Sequence, residues 1–122
     1  MKMDKKFNLK TGNLGEDIAK RFLEKKGYKI ISQNFKTKYS EIDLITRKKD
    51  FLVFVEVRTR VGDNFGSPEE TINKEKRWRL KRGAQAFVAF NDWKGPFRID
   101  AVCIVLNEDH KVDQFHHYEN IC

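Results

Sequence analysis

Apolar and polar positions alternate in two rhythms along this chain. Leu14, Ile18, Ala19, Phe22 and Leu23 recur at helical spacing. Asn13 followed by Glu16 fits a capping box, so a first helix is expected to begin near Asn13. Gly27 takes the C′ position after Lys25 and Lys26. Tyr28 to Ser32 reads as a first strand and Asn34 to Tyr39 as a polar, basic loop. Glu41 to Ile45 and Phe51 to Arg58 then read as the two strands of a hairpin. A turn-rich segment, Thr59 to Gly66, follows and reads either as a plain connector or as a lid. Ser67, Pro68 and Glu70 supply N-cap, N1 and N3 for a long helix ending near Phe90. Its buried stripe is Ile72, Leu80, Ala84, Phe87 and Val88. After a turn at Asn91 to Phe97, Arg98 to Leu106 forms a long strand, and Val112 to Tyr118 a short edge strand.

This order predicts an α/β sandwich around a mixed sheet. The hairpin makes one pair of strands antiparallel. The long helix can cross over to make a parallel pair.

Two strands of the pattern carry acids where burial is expected. Phe51 to Val57 is apolar at every position except Glu56. A buried carboxylate must be protonated, paired or bound to a cation. A strand end, or pairing with Arg58, explains Glu56 as well as a metal site does. Parity separates the alternatives. An even hairpin loop, Lys48-Lys49 or Lys48 to Phe51, puts Asp43 and Glu56 on one face; an odd loop without a bulge puts them on opposite faces. Glu16, at the edge of the first helix's apolar stripe, reads either as a cap or as a residue facing the sheet edge.

Lys76 falls on the buried stripe of the long helix, four residues from Ile72 and from Leu80. It either snorkels to water or meets the Asp43 and Glu56 face. The same helix presents Lys74, Lys76, Arg77, Arg79, Lys81 and Arg82 with Trp78 among them and Glu75 as the one acid. With so few acids, i,i+4 pairing cannot neutralise the face. Phosphates can, and the ring can stack on a base or ribose.

Composition changes the picture in one respect. The 122 residues suit a single domain, expected over 11–122 behind a flexible basic N-terminus over 1–10. The net charge of +7 favours polyanionic partners, nucleic acid above all. Two cysteines make no disulfide framework; Cys103 is expected to be a buried thiol, and the compartment cytoplasmic. No apolar run reaches the ~20 residues of a membrane span. His116 and His117 are adjacent, so on a strand they face apart and chelate poorly. The sequence holds no Gly-rich phosphate loop, no nucleophile elbow and no Cys/His metal spacing.

Several segments together resemble the YraN-like bacterial family. They are Gly15-Glu16, Gly27-Tyr28, Glu41-Ile42-Asp43-Leu44-Ile45, Phe54-Val55-Glu56-Val57, a lysine on the following helix, and Arg98-Ile99-Asp100. That family is similar to the PD-(D/E)xK nucleases and their archaeal Holliday-junction resolvase branch. The resemblance implies a restriction-endonuclease-like αβββαβ core. It implies that Asp43 and Glu56, with the Val57 carbonyl, hold Mg²⁺ or Mn²⁺, and that Glu16 assists. It places the catalytic lysine two residues after Glu56, where this chain has Arg58. Ser40 likewise stands where the family has glycine. Arginine stays protonated at neutral pH but can stabilise phosphate charge; Lys76 is the nearest candidate for the missing ammonium. Two functions follow. One is a metal-dependent nuclease acting on DNA, branched DNA included, for which a symmetric homodimer is the natural assembly. The other is a catalytically impaired nucleic-acid-binding module or accessory subunit.

Overall fold

The structure, a computed structural model, describes residues 5–62 and 72–122. Among the described residues seven elements follow one another: α1 (Lys5–Lys25), β1 (Lys29–Lys36), β2 (Glu41–Lys48), β3 (Phe51–Val61), α2 (Lys74–Phe90), β4 (Phe97–Leu106) and β5 (Val112–Tyr118). The five strands make one mixed sheet in the order β1-β2-β3-β4-β5. Only β3 and β4 are parallel, and α2 is the crossover between them. This is the α/β architecture expected of a restriction-endonuclease-like core, with β5 added at one edge.

Two apolar layers sandwich the sheet. Ile18, Ala19 and Leu23 of α1 pack with Tyr28, Leu44, Val53, Val55, Val102, Ile104 and Leu106. Leu80 and Ala84 of α2 pack with Ile45, Leu52, Phe54, Ile99 and Ala101 on the opposite face. The strands sort their side chains by alternation, so neighbouring residues of β3 and β4 serve opposite cores.

Several boundaries differ from the sequence expectation. α1 begins at Lys5, so Asn13 lies within the helix and is not its cap. A long amphipathic helix can extend outward past its last core contact, where no residue forbids it. Its C-terminus is as expected: Gly27 takes φ +91°. Gly27 N–H donates to the Glu24 carbonyl and Tyr28 N–H to that of Leu23, each at 3.0 Å, a Schellman pair. β1 runs on to Lys36 through residues read as loop, because Phe35 pairs with Ile42 and Lys36 with Glu41. The helix start expected at Ser67 to Glu70, like residues 63–66 of the lid or connector segment, lies outside the described residues. Within them, α2 starts at Asn73, whose Oδ1 accepts from Lys76 N–H at 2.8 Å.

Gly15 sets how closely α1 approaches the sheet. A Cβ at Gly15 would sit 1.8 Å from Thr59 Oγ1, so the helix lies against β3 only because this residue has no side chain.

Candidate functional site

The hairpin decides the parity question. Lys48 pairs with Phe51, Arg47 with Leu52 and Leu44 with Val55. The loop between Lys48 and Phe51 is therefore two residues, an even number, with Lys49 at φ 53°. The ladder ends at Leu44 and Val55, and Asp43 and Glu56 are the next residues along the two strands.

The two carboxyls do meet. Burial, and then the Glu56 carboxylate within hydrogen-bonding reach, push the Asp43 carboxyl up to about 8. Asp43 Oδ2 accepts from the Val57 backbone N–H at 2.7 Å, which fixes its orientation. Glu56 is buried, with 5% of its surface exposed. Its Oε2 lies 3.2 Å from Lys76 Nζ and 3.6 Å from Arg58 Nη2. Neither contact has hydrogen-bond geometry, so Glu56 Oε2 is a buried oxygen without a hydrogen-bond partner. Arg58 Nε is in the same condition.

Lys76 reaches this place because α2 starts where it does. The Asn73 cap holds the Lys76 amide in the first turn and aims its half-buried side chain at β3. The other cations of the helix do not follow it. Lys74, Arg77, Arg79, Lys81 and Arg82 are exposed, as is Trp78. Arg79 and Glu75 make one i,i+4 pair at 2.7 Å. Arg58, Asn73, Glu75, Lys76 and Arg79 line an open cleft of about 330 Å³. Three cations around one cleft suit a phosphate.

Glu16 approaches from α1. Burial, then the charge of Glu41, raise its pKa, and Glu56 adds a smaller push. With its amide nitrogen turned to the two carboxylates, Asn34 donates to Glu16 Oε1 at 2.9 Å and to Glu41 Oε1 at 3.0 Å. Glu16 therefore flanks the Asp43 and Glu56 pair while tied to β2 through Asn34. Asn34 and Asn73 both position site residues, and the sequence reading assigned neither. Asn73 carried a legible signal, an N-cap residue directly before the Lys74 to Arg82 run. Asn34 carried none, since its role depends on a left-handed backbone (φ 51°) at a strand position.

Asp43 and Glu56 thus bring two carboxyls together, and the Lys76 ammonium and Arg58 guanidinium are the cations nearest the buried Glu56 Oε2.

The chain belongs to the uncharacterised protein family UPF0102. The family's sequence profile matches residues 15–104, from Gly15 in α1 to Ile104 in β4. The chain is 45% identical over 107 residues to a UPF0102 protein of Caldanaerobacter subterraneus subsp. tengcongensis, covering 86% of this chain and 88% of that one. It is 42% identical over 102 residues to a UPF0102 protein of Chloroherpeton thalassium, covering 83% and 79%. A UPF0102 protein of Sulfurihydrogenibium sp. is 41% identical over 110 residues, covering 89% and 90%. The UPF0102 match thus spans every element that contributes to the site, including Glu16, Asp43, Glu56, Arg58 and Lys76. Among the described residues no helix is long and apolar enough to cross a membrane.

Proposed function

We propose that this UPF0102 chain is a divalent-metal-dependent nuclease that hydrolyses phosphodiester bonds in DNA. The observation that carries the reading is the buried Glu56 Oε2, without a hydrogen-bond partner, beside the Asp43 carboxyl and within 3.2 Å of Lys76 Nζ and 3.6 Å of Arg58 Nη2. A buried carboxylate pair is costly in a protein that does not use it.

Asp43 and Glu56 would hold Mg²⁺ or Mn²⁺, which when bound polarises a phosphoryl oxygen and lowers the pKa of a coordinated water. Asp43 gives up its proton to do so, and the Val57 N–H holds the resulting carboxylate in place. Lys76 and Arg58 meet the charge that builds on the phosphate as the bond breaks. Arg79, at the rim of the cleft, would steady a neighbouring phosphate. Glu16 adds negative charge at the edge of the pair and helps recruit the cation. The exposed cations Lys74, Arg77, Lys81 and Arg82 would bind the DNA along its backbone.

A second reading rests on Arg58. It lies 3.6 Å from Glu56 at the place where the resemblance expects lysine. A guanidinium remains charged and cannot take a proton from water. A chain in this state would bind DNA, as a module or accessory subunit, without cutting it.

One experiment separates the two. Linear duplex and four-way-junction DNA are incubated with the protein and Mg²⁺ or Mn²⁺, while calorimetry records cation binding. The nuclease gives cation binding and cleavage, both lost in Asp43→Ala. The binding module gives retention of DNA with a steep salt dependence and no product.

A further inference from the structure

The turn between β1 and β2 reaches over α2 and places a second aromatic ring beside Trp78. Tyr39 meets Trp78 edge to face, with ring centroids 6.2 Å apart. Lys38 Nζ lies over the Tyr39 ring at 5.2 Å, and the Arg82 guanidinium over Trp78 at 5.4 Å. Trp78 nevertheless keeps 53% of its surface open to solvent.

The turn is built to stay where it is. Thr37 Oγ1 donates to the Ser40 carbonyl at 3.0 Å and accepts from Tyr39 and Ser40 N–H at 3.1 Å each. Ser40 Oγ faces the Arg79 carbonyl at 3.4 Å. Gly83 lets the helix come close: a Cβ there would stand 3.3 Å from Thr37 Oγ1, Ser40 Oγ and Ile42 Cδ1. Two elements distant in sequence thus present alternating cations and rings as one fixed surface.

We propose that this turn and the outer face of α2 form a strip that holds an unpaired DNA strand, with Tyr39 and Trp78 as stacking surfaces and Lys38 and Arg82 as phosphate partners. The proposal rests on the nucleic-acid reading above and narrows it. Duplex DNA hides its base faces, so a duplex-binding surface needs cations and gains little from open rings. An unpaired strand exposes those faces, and aromatic rings interleaved with cations match it. The strip also leads to the candidate site. Arg79, whose carbonyl faces Ser40, lines the cleft with Lys76 and Arg58. A strand lying on the strip would pass its phosphates toward Glu56.

The test is fluorescence anisotropy of a labelled thymidine oligonucleotide and of a blunt duplex of the same length, without divalent cation so that cleavage cannot intrude. Tyr39→Ala and Trp78→Ala are each expected to weaken single-strand binding about tenfold. Both should leave duplex binding within about twofold and the salt slope unchanged. Tyr39→Phe, which keeps the ring, should bind as wild type, and matched melting curves confirm folded variants. Equal losses on both DNA forms, or an undiminished single-strand affinity in both alanine variants, would overturn the strip. If wild type binds neither form, the nucleic-acid reading falls with it. Tyr39-dependent binding of the single strand without any cleavage keeps the strip and removes only the nuclease.

Discussion

Two buried carboxylate clusters lie on opposite faces of the same sheet, and they have opposite characters. Asp100 on β4 pairs in register with Val55, and so faces the α1 core; Glu56 pairs with Ala101 and faces α2. Asp100 is fully buried and fully satisfied. It accepts from Arg98 Nε at 3.0 Å, from His117 Nε2 at 2.8 Å and from Asn120 N–H at 2.9 Å. Arg98 in turn donates to Tyr28 Oη at 2.7 Å. Burial alone would raise the Asp100 carboxyl, but these hydrogen bonds outweigh it and hold it below its usual value. Asp43 goes the other way: burial raises it, and its neighbour, another carboxylate, raises it further.

Asp100, His117 and Glu119 also bring ligand atoms within 4.8 Å of one another, a spacing that could hold a metal ion. Spacing is the weaker criterion here. Asp100's lone pairs are already committed to an arginine, a histidine and a backbone amide, and the Arg98 guanidinium occupies the ground a cation would need. The cluster ties β4 to β5 and the segment after it, including Asn120. Satisfied polar groups hold a fold together, and unsatisfied ones ask for a ligand.

The sharpest way to break this contrast is to remove each acid in turn. Asp100→Ala leaves the half-buried Arg98 and His117 without the buried carboxylate they share and is expected to cost about 3–5 kcal/mol of folding stability, read by denaturant unfolding. Asp43→Asn removes a carboxyl that the fold holds unfavourably. Measured without divalent cation at pH 8, it should leave stability unchanged or slightly raised. A large loss in Asp43→Asn would mean that its carboxyl, like that of Asp100, is structural.

Protons sharpen the contrast further. Asp43 is raised in the fold, so the folded chain binds more protons than the unfolded one between the ordinary carboxyl value and about 8. Its contribution is fully present below the unfolded pKa and is lost as pH rises toward about 8. Asp100 is lowered, so its contribution is present above the unfolded value and is lost as pH falls through the folded one. A cation at Asp43 must displace the proton. Its affinity is therefore expected to rise with pH, by up to about tenfold per unit below 8, and to level off above. Calorimetry with Mn²⁺ from pH 6 to 9 reads this directly, and a flat profile would separate cation binding from Asp43.

Gly15→Ala probes the frame that carries Glu16. The new Cβ must displace Thr59 or lift α1, at an expected cost of about 1–3 kcal/mol. Thr59→Gly in the same chain opens the space and should recover much of the loss, as thermal melting would show.

How much of this was readable in the chain varies with the range of the interaction. The Gly27 helix stop and the hairpin followed from local chemistry. The unbroken apolar run of β3 was legible too, but that Leu52 and Phe54 face α2 while Val53 and Val55 face α1 came only with the structure. The start of α1 was misjudged because Asn13 and Glu16 satisfy the capping pattern in sequence while the helix continues past them. The end of β1 was misjudged because its residues are polar, and only pairing with β2 makes Phe35 and Lys36 a strand. Within the candidate site, the approach of Asp43 to Glu56 depended on loop parity, which the sequence posed as a question. Asn34, Tyr39 and the His117 bond to Asp100 join residues far apart in the chain, and no local pattern announces them.

Arg58→Lys tests the remaining difference between a cleaving and a binding UPF0102 protein. Arg58 shares a strand face with Glu56 and lies in the same cleft as Lys76, so its position suits contact with a phosphate. Its Nε is buried without a hydrogen-bond partner, a small cost that a lysine side chain would not carry. A lysine there presents one compact ammonium, which can orient a water as well as screen a phosphate. Cleavage is expected to rise by up to about tenfold, about 1.4 kcal/mol in the barrier, with DNA affinity nearly unchanged because the charge is kept. If cleavage falls instead, the guanidinium's forked contact with the phosphate is the working arrangement, and Lys76 is the group that completes the site.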